Sequence, residues 1–469
     1  MGYAQSRIAT HRFEQLKPTG QEVTMPRCSA NRAGSAALLL ATLAVLLVGW
    51  TPAWAEDAPP PPPAAPLERL FMPLREQMKD LPPFFRDLDL KAHFRTYYFN
   101  RERPDDSENE ALAFGGWLAM RSGWLLDTFS IGATFYGSAP LYAPDDKDGT
   151  LLLKTGQEGY YVLGEAWAAL RYKDYVVLKG PRQLVDLGYV NPQDNRMTPN
   201  TFEGVTLGGK VSWVQYLAGY LWEIKPRNED DFIAMSAQAG VRRQHDGVAL
   251  AGVRLTPMPG LRIDLSDAWG IDMFNTLYGE MDYLHTLSDD WKLRVGAQFT
   301  DQRAVNNARV QTARDRYWAT QVGGVKVQGI YRELTLTGAF SITGSGNTIQ
   351  SPWGSYPGYL SMIDQDFNRA NEKAVLVGIA YDFSKVLARG LSAYTNIAWG
   401  WDAINPTTRA SAPDQTEYDV TVDYRPPWLL PAFLRGLWFR ARAAVLDQEG
   451  AKKTGYQFRL ILNWERDLL

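Results

Sequence analysis

Cysteine is nearly absent. The 469-residue chain has one, Cys28, and none from residue 56 onward. A secreted chain of that kind is not held by disulfides, and Cys28, which precedes the apolar leader run, is no lipid acceptor behind a signal. Histidine is scarce too: of four, His11 lies in the leader, and His93, His245 and His285 lack metal-ligand spacing. Neither a G-x-S-x-G elbow nor a glycine-rich phosphate loop ahead of a helix occurs. The expectation is therefore no metal, no cofactor and no enzyme. An excess of one charge is also missing, with 49 Lys+Arg against 52 Asp+Glu and a net −3. The basic residues are scattered, so no nucleic-acid partner is expected. Finally, no apolar stretch beyond residue 55 reaches the roughly 20 residues of a membrane helix.

What is present begins with an export leader. Ser35 to Trp50 is an apolar run preceded by Arg27 and Arg32, and Ala53-Trp54-Ala55 is a small-x-small cleavage signature before Glu56. Residues 1–55 are expected to be a cleaved signal, and a start at Met25 would give it an n-region of ordinary length. Cleavage removes five basic and two acidic residues, leaving 44 and 50, a net −6. Residues 56–86 read as a spacer. Pro59 to Pro63 favour polyproline geometry, and Leu67, Leu70, Phe71, Leu74 and Met78 follow a helical period that Pro73 interrupts. That short amphipathic segment is expected at the periplasmic base of the fold and not as a plug.

From residue 87 to 469 the texture is constant. Segments of about ten residues alternate apolar and polar between turn residues, as transmembrane strands do. Tyr456, Phe458, Leu460, Leu462 and Trp464 oppose Gln457, Arg459 and Asn463; Leu437, Phe439, Ala441, Ala443 and Val445 oppose Trp438, Arg440 and Arg442. Tyr418, Val420, Val422 and Tyr424 oppose Glu417, Asp419, Thr421 and Asp423. Leu293, Val295, Ala297 and Phe299 oppose Lys292, Arg294 and Gln298, and Leu90, Ala92 and Phe94 oppose Lys91, His93 and Arg95. A soluble sheet also alternates. Aromatics at the strand ends and the export signal favour the membrane. Short Pro/Gly turns such as Thr256 to Gly260 alternate with long polar loops such as Gly344 to Asn371. At roughly 20 residues per strand and connection, about 380 residues make 16 to 18 strands, wide enough for an aqueous lumen. The expected fold is all-β, a transmembrane antiparallel barrel in the outer membrane of a Gram-negative bacterium. Its partners are outer-membrane lipid and a small solute, and monomer and homotrimer both remain open.

Three stretches carry a family resemblance. They are Phe94 to Arg101 with Gly132 to Ser138; Arg182-Gln183-Leu184-Val185 with Asp194-Asn195-Arg196-Met197-Thr198-Pro199-Asn200-Thr201-Phe202-Glu203-Gly204; and Gly436 to Arg442 with Phe458 to Ile461. Together they resemble the OprD family of outer-membrane porins, the middle stretch most specifically. The family has Gly-Arg-Gln where this chain has Pro181 between Gly180 and Arg182, and residues 300–415 carry little of the likeness. The resemblance implies an 18-stranded barrel whose third outer loop folds inward, placing Asp194 and Arg196 at a constriction. It also implies a basic ladder of Arg440, Arg442 and Arg459, three residues that the alternation independently sets on the inward face.

Such a cluster of like charge in a low-dielectric channel concentrates counter-ions. Asp419 and Asp423, inward on the neighbouring strand, either form an opposing acidic wall or neutralise the arginines. Arg196 either faces the pore or braces its turn. Trp353, Tyr356 and Tyr359 either stack a sugar or sit at the lipid interface. The expected function is passive, selective uptake of small hydrophilic solutes, carboxylate-bearing ones such as amino acids or small organic acids. The alternatives are a surface adhesin or plugged structural barrel and, last, a barrel enzyme.

Overall fold

In hydrocarbon an unpaired backbone amide costs several kcal/mol, so strands that cross a membrane must close on themselves. This chain does so. The computed structural model describes residues 74–241, 245–426 and 434–469, and the leader and most of the spacer lie outside them. The strands are β1 (Asp89–Glu102), β2 (Glu108–Arg121), β3 (Phe129–Tyr142), β4 (Tyr160–Tyr172), β5 (Val176–Gln183), β6 (Thr201–Val211) and β7 (Val214–Lys225). They continue with β8 (Ile233–Ala234), β9 (Val248–Met258), β10 (Leu261–Gly270), β11 (Phe274–Thr286), β12 (Trp291–Ala304) and β13 (Ala319–Tyr331). The set ends with β14 (Leu334–Thr343), β15 (Lys373–Asp382), β16 (Leu391–Trp401), β17 (Gln415–Tyr424), β18 (Leu437–Gln448) and β19 (Gly455–Asp467).

Each strand runs antiparallel to the next, and β19 returns to β1 in a ladder from Lys91↔Asp467 to Glu102↔Tyr456. The dipeptide β8 touches only the end of β7, which pairs β9 directly, so eighteen strands make the wall. In β5 the Gly180–Pro181 peptide is cis, and pairing with β6 skips these two residues before resuming at Arg182↔Glu203.

The two faces follow the expected alternation. On β17 to β19, Tyr418, Phe439 and Leu460 are 45%, 42% and 39% exposed toward the lipid side, while Glu417, Asp419 and Arg459 are 0%, 2% and 3% exposed inside. In β1 the inward face begins with His93 and Arg95, but its next two members are Tyr97 and Phe99, both buried. Aromatics face the lumen there because a loop covers them.

The ends differ as outer-membrane barrels require, with short turns at one and long loops at the other. The β9–β10 turn is Pro259-Gly260. Gly260 has φ +82°, and a Cβ there would lie 2.3 Å from the Leu284 carbonyl oxygen, so only glycine fits. At the other end run residues 143–159, 184–200, 226–247, 305–318, 344–372 and 402–414. Ahead of β1, residues 74–78 are helical and a four-residue helix, α1 (Pro83–Arg86), follows. Gly123 N–H donates to the Phe84 carbonyl at 3.0 Å, which sets this segment against the β2–β3 turn, away from the long loops. Of its proposed helical face, Leu74 and Met78 fall on those residues; Leu67, Leu70 and Phe71 lie outside the described ones.

Candidate functional site

Loop 3, residues 184–200, folds into the barrel. Its Met197 packs with Tyr97, Phe99, Ala111, Ala113, Leu152 and Leu153, which explains the inward aromatics of β1. Burying one such side chain stabilises the fold by about 1.5–3 kcal/mol. A polar clamp adds to it. Arg95 Nη1 donates to Asp194 Oδ1 at 3.0 Å and also to the Arg196 carbonyl, while Arg95 Nε and His93 Nε2 both reach Asn463 Oδ1, at 2.8 and 3.0 Å. Asp194 thereby ties the loop to the wall.

Arg196 is buried. Its Nε donates to the Thr150 carbonyl and its Nη1 to the Asn195 carbonyl, both at 2.9 Å. Its guanidinium lies 5.0 Å from the Phe99 ring centroid, and those of Arg459 and Arg101 lie 5.2 and 5.6 Å from the same ring. Three cations thus lie around one aromatic ring, each gaining about 0.5–2 kcal/mol from its quadrupole. Burial first, and then repulsion from Arg459, Arg227 and Arg101, pushes the Arg196 guanidinium well below its ordinary pKa.

The ladder residues divide. Arg440 is paired, with Nε and Nη2 at 2.6 and 2.9 Å from the two Asp423 oxygens. Arg442, its neighbour on the same face, finds only Thr421 Oγ1 at 3.2 Å and Tyr394 OH at 3.5 Å. Arg459 is the cross-strand partner of Arg442 and donates to the Ile363 carbonyl at 2.8 Å. Among the described residues, no carboxylate lies within ion-pair distance of Arg196, Arg442 or Arg459.

Asp419 sits on the inward face but is turned to another task. Its Oδ2 accepts the Ile363 N–H at 2.9 Å, and Glu417 accepts those of Asp364 and Gln365 at 2.7 and 2.8 Å. Three successive amides of loop 7, residues 344–372, are therefore seated on two adjacent carboxylates. Arg101 adds an ion pair to Asp364 at 3.3 Å. The alternation set Glu417 inward, yet nothing in the sequence showed what it holds, because its partners are backbone atoms.

The aromatics of loop 7 serve neither of the expected purposes in two cases. Trp353 is 1% exposed, stacks on Phe274 at 5.1 Å and donates to the Met235 carbonyl at 2.9 Å; Tyr356 is buried beside Tyr189. Both fill the core between loops 3, 4 and 7 and the wall. Tyr359 points inward, with its hydroxyl 3.1 Å from Glu280 Oε1 and the Lys326 ammonium over its ring.

The facing wall, β9 to β12, is a mesh of ion pairs. Arg254 meets Asp264 at 2.6 Å, Arg262 meets Asp264 at 3.0 Å and Glu280 at 3.2 Å, and Arg294 meets Asp282 at 2.8 Å. Between this wall and loop 3 opens a cavity of about 540 Å³ lined by Asp194, Arg254, Asp264, Tyr278 and Glu280 among others. Asp194 thus lines open lumen while pairing with Arg95 on the wall.

Known proteins fit this architecture. No curated protein matches the chain significantly. Among solved structures, Pseudomonas aeruginosa OpdK crystallised with vanillate is similar at TM-score 0.72 and 21% identity, covering 82% of this chain and 100% of that one. Pseudomonas aeruginosa OccK9 (OpdG) gives 0.72 and 20%, covering 82% and 99%, and Acinetobacter baumannii OccAB1 gives 0.74 and 16%, covering 84% and 100%. These likenesses establish the 18-strand fold. Residues 82–468 match the family described as outer membrane porin, OprD family. The chain belongs to the OprD family of outer membrane porins, and its place is the outer membrane of a Gram-negative bacterium.

Proposed function

We propose that this porin passes small hydrophilic solutes bearing a carboxylate, such as amino acids or small organic acids, passively and selectively. The observation that carries the reading is the convergence of Arg196, Arg442 and Arg459 with no carboxylate partner among the described residues, opposite a wall where Arg254, Arg262 and Arg294 are each paired. Arginine inside a protein is ordinarily matched by an acid, because an unmatched buried charge costs several kcal/mol. An incoming carboxylate relieves that cost, and the guanidinium forks offer it paired hydrogen bonds. Passage then needs each contact to be weak enough to release. The Phe99 ring and backbone carbonyls that hold Arg196 and Arg459, and the hydroxyls that hold Arg442, supply the competing interactions. OpdK, crystallised with vanillate, itself a carboxylate, is consistent with this class.

The test is electrical. In planar bilayers under a salt gradient the wild-type channel should prefer anions and be blocked by propionate. Replacing Arg442 and Arg459 by Gln keeps donors and removes charge. Anion preference should fall roughly tenfold, the effect of about 1.4 kcal/mol. A folded double variant with wild-type selectivity overturns the proposal.

A further inference from the structure

Loop 4, residues 226–247, carries an arginine that neither strand alternation nor the resemblance singles out. Arg227 follows the end of β7, and its backbone is pinned. Its carbonyl accepts from Tyr160 OH at 2.8 Å and from Thr198 Oγ1 at 3.0 Å, and these two hydroxyls are themselves 2.9 Å apart. The preceding Pro226 carbonyl accepts from Lys225 Nζ at 2.9 Å. With both carbonyls fixed by side chains from β4, loop 3 and β7, the root of the Arg227 side chain has a set position and direction.

Its guanidinium turns to loop 3, where it donates to Asn195 Oδ1. Three acids follow it in the chain, Glu229, Asp230 and Asp231, yet none pairs with it. Asp230 is taken by Lys154 at 2.7 Å. Among the described residues no carboxylate lies within ion-pair distance of Arg227. Burial and then repulsion from Arg459 push its pKa down to about 10, and Arg227 in turn opposes the charge on Arg196. Loop 4 therefore brings a cation into the field of Arg196 on loop 3 and Arg459 on the wall, and holds it there at a cost.

We propose that Arg227 is a specificity-determining residue, presented by loop 4 beside Arg196 and Arg459 so that one carboxylate meets loop and wall cations together. This rests on the carboxylate-selective reading of the pore. Preorganisation is the physical gain: the loops bear the repulsion in the empty channel, and the solute collects the attraction without reorganising them. Because loops vary more freely than barrel strands, a cation held on loop 4 tunes the site without disturbing the wall.

The competing role is mechanical, with Arg227 only tying loop 4 to loop 3 through Asn195. Two substitutions separate the roles. Arg227→Gln retains a donor for Asn195 and loses the charge; Arg227→Lys retains the charge. Propionate block and reversal potential are measured for both beside wild type and the Arg442→Gln, Arg459→Gln channel, each checked for folding by its heat-modifiable gel shift. The proposal expects block roughly fivefold weaker in Arg227→Gln and near wild type in Arg227→Lys. Wild-type block in Arg227→Gln, or equal loss in both variants, overturns it. A wild-type channel indifferent to propionate would instead sink the carboxylate reading itself, which keeps the two failures distinct.

Discussion

The two walls of the lumen are built from the same residue, inward-facing arginine, and match it differently. On β9 to β12 the cross-strand register sets Arg254 against Asp264 and Arg262 against Asp282, and diagonal contacts complete the mesh. On β17 to β19 it sets Arg442 between Thr421 and Arg459, leaving Asp423 to match Arg440 alone. A one-residue slip would turn every side chain to the other face, and a two-residue slip would re-pair every charge. Register, not composition, decides whether an inward arginine meets a carboxylate across the sheet.

The largest break in that comparison should come from the anchors of loop 7. Replacing both Glu417 and Asp419 by Ala removes the acceptors of three backbone amides, at about 1–3 kcal/mol for each donor left without a partner. Loop 7 should leave the wall, and single-channel recordings should show a larger and noisier conductance. A channel of unchanged conductance would mean the loop is held elsewhere.

A smaller effect should come from converting one wall toward the other. Asp423→Asn takes the acid from Arg440, and anion preference should rise by roughly three- to fivefold, the reach of one partly screened charge. Asp264→Asn should do likewise by freeing Arg254, while Arg262 keeps Glu280. If either lowers anion preference, pairing is not what silences these arginines. Smaller again is a stabilising effect of solute. Propionate at tenfold its blocking constant should raise stability by about 1.4 kcal/mol, seen as a higher melting temperature in detergent, and the gain should vanish in the Arg442→Gln, Arg459→Gln protein. The smallest is expected at Arg332, which pairs with Asp290 at 2.8 Å on an exposed short turn. Arg332→Gln should leave reversal potential and block unmoved.

Much of this is legible in the sequence. Period-two alternation puts Arg459, Asp419 and Arg440 inside, and the family resemblance of the Asp194 to Gly204 stretch implies the loop that turns inward. Alternation reads a face, however, and not a partner across the sheet. The division between Arg440 and Arg442 depends on register, which no single strand encodes. Loop 7 was opaque for a different reason: its seat on Glu417 and Asp419 is made by backbone amides, which every residue carries. Tyr97 and Phe99 break the apolar-outward rule because a loop, distant in sequence, covers them. Trp353 and Tyr356 looked like surface aromatics since nothing local announces that loops 3 and 4 close over them.

The most direct test sets one wall against the other in a single assay. Reversal potentials under a tenfold salt gradient should be recorded for Arg442→Gln with Arg459→Gln and for Arg254→Gln with Arg294→Gln. Two guanidinium charges are removed in each case. The account predicts a marked loss of anion preference in the first and little change or a modest gain of cation preference in the second, where Asp264 and Asp282 lose counter-charges. Equal losses in both would contradict it, because pairing would then make no difference to what an inward arginine does.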